Sequence, residues 1–311
     1  MGLHSTTGRR ALGVGLSLFT AFLWGILPIA LKNVLESMDA FTITWYRFLV
    51  SAVLLFPIVL MKNGLPSLKQ MGGSVKWLLA AAVVGLCGNY ILYLIGLNHL
   101  TPSTAAVVVQ LAPVFFLAGG LAIFKERFSS RQYAGFALLL VGLGLFFNQR
   151  LGDLFSSLGE YTIGVLFIVC SALIWTVYAM AQKQLLKTYP SQTIMLIIYI
   201  GGSVLFFHSA KPGQLVKLDI LRLILLFFCA VNTLIAYGSF SEALDHLEAS
   251  RMSAILAVTP LFTITGMKIV EALAPGFLKP ENLNGASIAG AILVVLGSIA
   301  TSLSGAAEHE A

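Results

Sequence analysis

The sequence predicts an all-α membrane protein whose ten transmembrane helices form two inverted five-helix repeats. Three observations carry that expectation. Hydrophobic residues fill 58% of the 311 positions and charged residues only 10%, whereas a soluble domain carries roughly 25% charged residues. The apolar residues come in blocks of about 20, the length that crosses a hydrocarbon core about 30 Å thick. Marker residues in the first half recur in the same order in the second.

Taken in order, the blocks fall at 11–32, 40–61, 75–97, 103–124, 132–149, 161–183, 192–210, 220–241, 250–273 and 284–304. The first follows a short basic start ending in Arg9-Arg10. It is too long for a signal-peptide core and has no small-residue cleavage site, so it reads as a retained span. Only the Asn98–Pro102 linker separates the third and fourth blocks, and the eighth and ninth meet around Asp245–Glu248. Turns this tight make antiparallel helix pairs. The chain thus divides into an N-terminal segment 1–10, a first repeat 11–149, a connection 150–160, a second repeat 161–304 and a tail 305–311.

Orientation follows from the positive-inside rule. With the N-terminus in the cytoplasm, the inside connections hold eleven Lys and Arg against seven outside. The first half carries the bias, eight against two, while the second half leans the other way, three against five. The early spans usually set topology, so both termini are expected in the cytoplasm.

Several function classes drop out. The net charge of +6 is scattered between apolar blocks and forms no basic patch, so no nucleic-acid partner is expected. Cys87, Cys170 and Cys229 are odd in number and lack CxxC spacing, which gives neither a disulfide framework nor a zinc site. No metal or other cofactor is expected. There is no Walker sequence, no HExxH and no paired carboxylate within a span; Gly13-Val-Gly15 and Gly142-Leu-Gly144 lack the strand and third glycine of a nucleotide fold. Enzymatic activity is not expected. The connections are too short to carry a signalling or partner-binding domain, so the expected partners are the bilayer and a small solute, with no obligatory protein partner.

The repeat is legible at fixed offsets. Phe22-Leu23-Trp24 with Lys32 answers Leu173-Ile174-Trp175 with Lys183 at an offset of 151, and Thr20 answers Ser171. At an offset of 147, Tyr90 answers Tyr237, His99-Leu100 answers His246-Leu247, Ser103 answers Ser250, Pro113 answers Pro260 and Phe115 answers Phe262. Gly135 and Gly142 answer Gly290 and Gly297 at 155. Each half holds an odd number of spans, so the second must insert upside down. Inverted repeats of this kind place a solute site near the bilayer midplane and support alternating access.

Candidate site residues are the polar and aromatic groups amid hydrocarbon. Ser171, Trp175, Tyr178 and Gln182 share one helical face, and Ser17, Thr20 and Trp24 form the matching face of the first span. These faces either wall a cavity or bond backbone carbonyls and anchor at the lipid interface; the depth of Trp24 and Trp175 favours the cavity. Asn89, Tyr90 and Tyr93 in the third span and Asn232, Tyr237 and Ser239 in the eighth must bond a neighbouring helix or face water, because an unpaired amide in hydrocarbon costs several kcal/mol. Gln110 lies two turns beyond Ser103 and is expected at the cavity. Pro28, Pro57, Pro113 and Pro260 each remove a helix hydrogen bond and serve as hinges or static kinks. The glycine pairs of the fifth and tenth spans are read as close-packing faces. Arg47, the most intramembrane charge, lies near enough to a helix end to snorkel and is read as structural.

With Trp24, the Trp45-Tyr46-Arg47-Phe48 start of the second span, Ala105–Pro113 leading to Glu126, the second copy Ser253–Pro260 leading to Glu271, and glycine-rich fifth and tenth spans, the chain resembles the drug/metabolite transporter superfamily in its ten-helix EamA-type branch. It departs from symmetry where Pro113 to Glu126 spans thirteen positions against eleven for Pro260 to Glu271, and where an insertion near Ala274–Asn284 precedes the last span. The resemblance implies export of small metabolites across a bacterial inner membrane, and in general character it is similar to exporters of aromatic and hydrophobic amino acids. Aromatic side chains would then hold the apolar part and the ammonium, with Gln110, Asn89 and Asn232 on the carboxylate. Efflux of lipophilic cations and nucleotide-sugar antiport are the alternatives. No Asp or Glu lies at the centre of a span, which predicts facilitated rather than strongly proton-coupled movement.

Overall fold

The computed structural model describes residues 9–62, 71–112, 114–115, 129–152, 159–247 and 249–303. Among them the regular elements are helical, with no strand. In chain order they are α1 (Arg10–Leu35), α2 (Ala40–Lys62), α3 (Gly73–His99), α4 (Pro102–Val108, continued by a 3-10 turn Val109–Leu111), α5 (Ser130–Phe146), α6 (Glu160–Leu185), α7 (Ser191–Phe206), α8 (Ile220–His246), α9 (Ala249–Leu256), α10 (Thr259–Leu273) and α11 (Gly285–Leu303).

Among the described residues, six helical stretches are long and apolar enough to cross a bilayer: α1, α2, α3, α6, Ile220–Ala243 and Arg251–Leu273. Four shorter apolar stretches, Pro102–Leu111, Ser130–Phe146, Ser191–Phe206 and Gly285–Thr301, occupy the fourth, fifth, seventh and tenth expected positions. At a rise of about 1.5 Å per residue, the longest of these falls a few ångströms short of a core about 30 Å thick. The remainder of the fourth expected span, with Pro113 and Glu126, lies outside the described residues. Outward faces are hydrocarbon: Val84 is 64% exposed and Val204 69%, positions that water would penalise and lipid does not.

Helix starts follow local polar chemistry. Ser129 and Gln132 form a reciprocal capping box at α5. Thr101 caps α4, Asp219 caps α8, and the Asp39 carboxylate accepts from the Thr42 amide at 2.9 Å. Each satisfies an amide that the helix itself leaves without a partner.

The ninth expected span is not one helix. It breaks at Ala257–Val258, and α10 starts with Pro260 in its first turn. Pro260 has no N–H for the Leu256 carbonyl and its ring collides with that oxygen. The Thr259 hydroxyl takes over, donating to Leu256 O at 2.6 Å. The 3-10 turn Val109–Leu111 sits at the equivalent place in the first half. α1 runs through Pro28 without a break. Near that proline, the carbonyls of Leu23 and Gly25 accept from Asn232 Nδ2 (2.9 Å) and Thr263 Oγ1 (2.8 Å).

Four helix pairs dominate the packing: α1 with α8, α3 with α6, α2 with α7 and α5 with α11. Exchanging the halves turns the first pair into the second and returns each of the others to itself. All four pairs are antiparallel. Along α2 and α7, Phe41 meets Phe206 (rings 6.1 Å apart) and Phe48 meets Tyr199 (5.8 Å). Along α5 and α11, a Cβ on Gly142 would stand 2.8 Å from Gly290 O, and one on Gly297 would stand 2.7 Å from Gly135 O. The two remaining pairs repeat one another in detail. A Cβ on Gly13 would meet Leu247 Cγ at 2.6 Å and His246 Cβ at 3.0 Å, while one on Gly164 would meet Leu100 Cγ at 2.8 Å and His99 Cβ at 2.9 Å.

Candidate functional site

Between α1, α2, α3, α6, α7 and α8 the side chains change from aliphatic to aromatic. α8 supplies the hub, Tyr237. Its ring lies 5.3 Å from Trp24 of α1, 6.2 Å from Tyr90 of α3, 6.1 Å from Tyr178 of α6 and 6.4 Å from Phe240 one turn along α8. Trp175 completes the cluster at 6.3 Å from Phe240 and 6.4 Å from Tyr178. Phe48 of α2 packs on Tyr90 at 4.7 Å and on Tyr199 at 5.8 Å. Most of these pairs are tilted or edge-on, the arrangements that the ring quadrupole favours. Trp24 and Trp175 are half-buried and bridge two packing clusters, one around Tyr90 and Tyr178, the other around Phe240 and Met252.

One charge is set against this cluster. Arg47 is only 3% exposed, so it does not snorkel to an interface. Its guanidinium carbon stands 4.4 Å over the Tyr90 ring, within the range of a cation–π contact. Its Nε donates to Thr233 Oγ1 at 3.0 Å, Thr233 Oγ1 donates to Cys229 O at 2.8 Å, and Tyr199 donates to Thr233 O at 3.2 Å. The buried Tyr90 hydroxyl lies toward Thr233 and Tyr237 without closing a hydrogen bond of good geometry, and Asn232 Oδ1 is buried without a partner among the described residues.

Of the residues expected from sequence, the structure brings Trp24, Tyr90, Trp175, Tyr178 and Tyr237 into one cluster. The polar group is mostly spent between helices. Asn89 Nδ2 donates to Ser171 Oγ at 2.8 Å and Ser171 O at 3.1 Å, and Ser171 Oγ returns a bond to Asn89 O at 3.2 Å. The equivalent Thr20 Oγ1 donates to Leu16 O at 2.9 Å and approaches Ala236 O at 3.5 Å. Asn232 spends its amide on Leu23 O, as above. Gln182 donates to Ser241 Oγ at 3.1 Å. Gln110 is not with the aromatic cluster; it faces α11, where Ser298 Oγ donates to it at 3.5 Å. Tyr93 packs against the other core, with Leu94 and Leu97. Pro28 lies one turn from Trp24, Pro260 sits at the α9–α10 break, and Pro113 lies outside the described residues.

The sequence gives no sign of Tyr199, Thr233 or Phe240 as site residues, names Phe48 only as part of the Trp45–Phe48 motif, and leaves Arg47 read as structural. For Arg47 the signal was present, as the sole Lys or Arg well inside the second span. The others needed the three-dimensional pairing of α2, α7 and α8.

Comparison with known proteins agrees with this architecture. Residues 11–148 and 162–303 each match the sequence profile of the EamA-like transporter family. An uncharacterized transporter of Haemophilus influenzae is 41% identical over 292 residues, 94% of this chain and 95% of that protein. YhbE of Escherichia coli, an uncharacterized inner membrane transporter, is 39% identical over 293 residues, 94% of this chain and 91% of that protein. A probable amino-acid metabolite efflux pump of Salmonella typhimurium is 22% identical over 296 residues, covering 91% and 92%. One crystal structure shares the fold with a TM-score of 0.66 at 19% identity, covering 99% of this chain and all of that one.

Proposed function

We propose that this chain, which belongs to the EamA-like transporter family, exports small, partly apolar amino acids across a bacterial inner membrane. Transport proceeds by alternating access between two inverted five-span halves. Membership makes it a membrane transporter; the substrate, direction and mechanism are our reading. The inner membrane location draws on the relative YhbE, and the substrate class draws on the relative named as an amino-acid metabolite efflux pump.

The observation that carries the reading is the convergence of equivalent aromatic residues at the junction of the halves. Tyr90 and Tyr237 answer each other in the repeat and touch at 6.2 Å, as residues beside a pseudo-two-fold axis must. Trp24 and Trp175 answer each other and flank the same cluster, both beside Phe240. Inversion is supported by the antiparallel course of α2 with α7 and of α5 with α11, because each joins equivalent spans of the two halves. A site on such an axis can face either side of the membrane as one half rocks against the other. Indole and phenol rings there would hold an apolar side chain and attract an ammonium by about 0.5–2 kcal/mol.

The test is transport in liposomes containing the purified protein, with labelled aromatic and aliphatic amino acids inside. Exchange that falls at least tenfold in Trp24→Ala and Trp175→Ala, with both variants reconstituted normally, supports the assignment. Wild-type rates in both would remove the aromatic chamber from the mechanism. Uphill accumulation driven by an imposed pH gradient would overturn the facilitated mode.

A further inference from the structure

Arg47 poses a problem that the fold alone does not solve. A buried guanidinium costs several kcal/mol unless it is paired and hydrogen-bonded. Arg47 is buried at 3% exposure in the second span. Among the described residues the ion pairs are His99–Glu160, Arg222–Glu36, Arg222–Asp219, His246–Glu242 and Lys268–Glu271. None includes Arg47. Of the five N–H donors on a guanidinium, Nε alone is bonded among the described residues, to Thr233. The Tyr90 ring offsets part of the charge from one face, but a ring neither neutralises a cation nor takes up the guanidinium's remaining N–H groups.

The surroundings are arranged for an added acceptor. Tyr90 carries a buried hydroxyl that lacks a well-formed bond, and its ring joins Arg47 to the hub Tyr237. A carboxylate on the free edge of the guanidinium would take two parallel N–H···O bonds, the geometry in which Arg is strongest. It would also supply the missing countercharge. From there the rest of the solute would reach the rings of Tyr237, Trp24 and Phe240.

We infer that Arg47 is the anion anchor of the chamber, so that a carboxylate is the obligatory feature of the transported solute and the ammonium is not. The inference rests on the proposed transport reading and narrows it. It also turns the chamber against lipophilic cations, which would meet a buried positive charge without a partner. Arg47 would be enclosed in the present conformation and uncovered when the halves rock. Asn89, whose amide is engaged with Ser171, would then hold α3 against α6 while Arg47 binds the carboxylate.

The probes are phenylalanine, 3-phenylpropionate (carboxylate without amine) and phenethylamine (amine without carboxylate). Binding to detergent-purified protein is read by tryptophan fluorescence. Wild type should bind phenylalanine and 3-phenylpropionate and discriminate against phenethylamine by at least about tenfold, one charge-assisted contact's worth. Arg47→Gln should remove that discrimination. Arg47→Lys, which keeps the charge but loses the fork, should retain part of it. Equal binding of all three probes by wild type, no binding of either carboxylate probe, or unchanged discrimination in Arg47→Gln would overturn the inference. A merely structural arginine would weaken all probes alike. If Arg47→Gln does not fold, the wild-type probe series and Arg47→Lys decide the matter. Arg47-dependent binding of 3-phenylpropionate with no phenylalanine movement in liposomes would leave the anchor standing and remove amino-acid export.

Discussion

Replacing Gly142 with alanine pushes a methyl group into backbone that has no room to move, while the same change two residues later at Gly144 does not. A Cβ on Gly142 would stand 2.6 Å from Val294 N and 2.8 Å from Gly290 O, both main-chain atoms of α11. No heavy atom of the described residues lies within 4 Å of a Cβ on Gly144. Backbone cannot swing aside as a flexible side chain can, so α5 and α11 must separate by a few tenths of an ångström along their whole contact. Overpacking of this kind costs about 1–3 kcal/mol. Gly144→Ala should instead stabilise by about 0.5–1 kcal/mol, because alanine loses less chain entropy in a helix. Gly142→Ala gains the same helix propensity, so the two variants should differ by the overpacking cost alone, about 1–3 kcal/mol, with Gly142→Ala the less stable. Unfolding in mixed micelles titrated with SDS, followed by tryptophan fluorescence, measures both. If Gly142→Ala is as stable as Gly144→Ala, the backbone contact of these helices is wrong.

Other outcomes follow from the same geometry. In a double-mutant cycle, Asn89→Ala and Ser171→Ala should couple by about 0.5–2 kcal/mol, the range found for interhelical hydrogen bonds in membranes; additive effects would show that the bond between the Asn89 and Ser171 side chains contributes nothing. Glu281 Oε1 accepts from the Ser103 amide at 3.1 Å, and Phe277 O accepts from Asn33 Nδ2 at 2.9 Å, so residues 274–284 are tied to the starts and ends of other helices. Glu281→Ala should expose that segment to limited proteolysis at a cost of about 1–3 kcal/mol, and Glu281→Gln, which keeps an acceptor, should protect it; equal cleavage of the two would refute the tie.

What was legible in the sequence was whatever the repeat made redundant. Tyr90 and Tyr237 were paired by an offset before they were found in contact, and the glycines of the fifth and tenth spans were expected to pack closely. Composition gave the membrane class, since blocks of about 20 apolar residues leave few alternatives. Less legible was which face of a helix looks inward. Gln110 sits among apolar neighbours in sequence whichever way it points, and it turns toward α11 rather than the aromatic cluster. Arg47 is a few residues from the start of its helix, a distance that allows snorkelling; only its pairing with Thr233 and Tyr90, 186 and 43 positions away, reveals that it points inward. The amides of Asn89 and Asn232 were expected near a solute carboxylate, but a single sequence does not tell that their donors are already taken by Ser171 and Leu23.

A chamber shared by the two halves requires the second to lie upside down relative to the first. Alkaline phosphatase and green fluorescent protein fused after Gly152, and separately after Thr188, test this in cells. Five spans before Gly152 predict an active phosphatase and dark fluorescence there; six spans before Thr188 predict the reverse. Fluorescence after Gly152 and phosphatase activity after Thr188, with the N-terminus tagged as cytoplasmic, would put the connection on the side of residue 1, so that both halves enter the membrane in one direction, and the shared chamber would go with them.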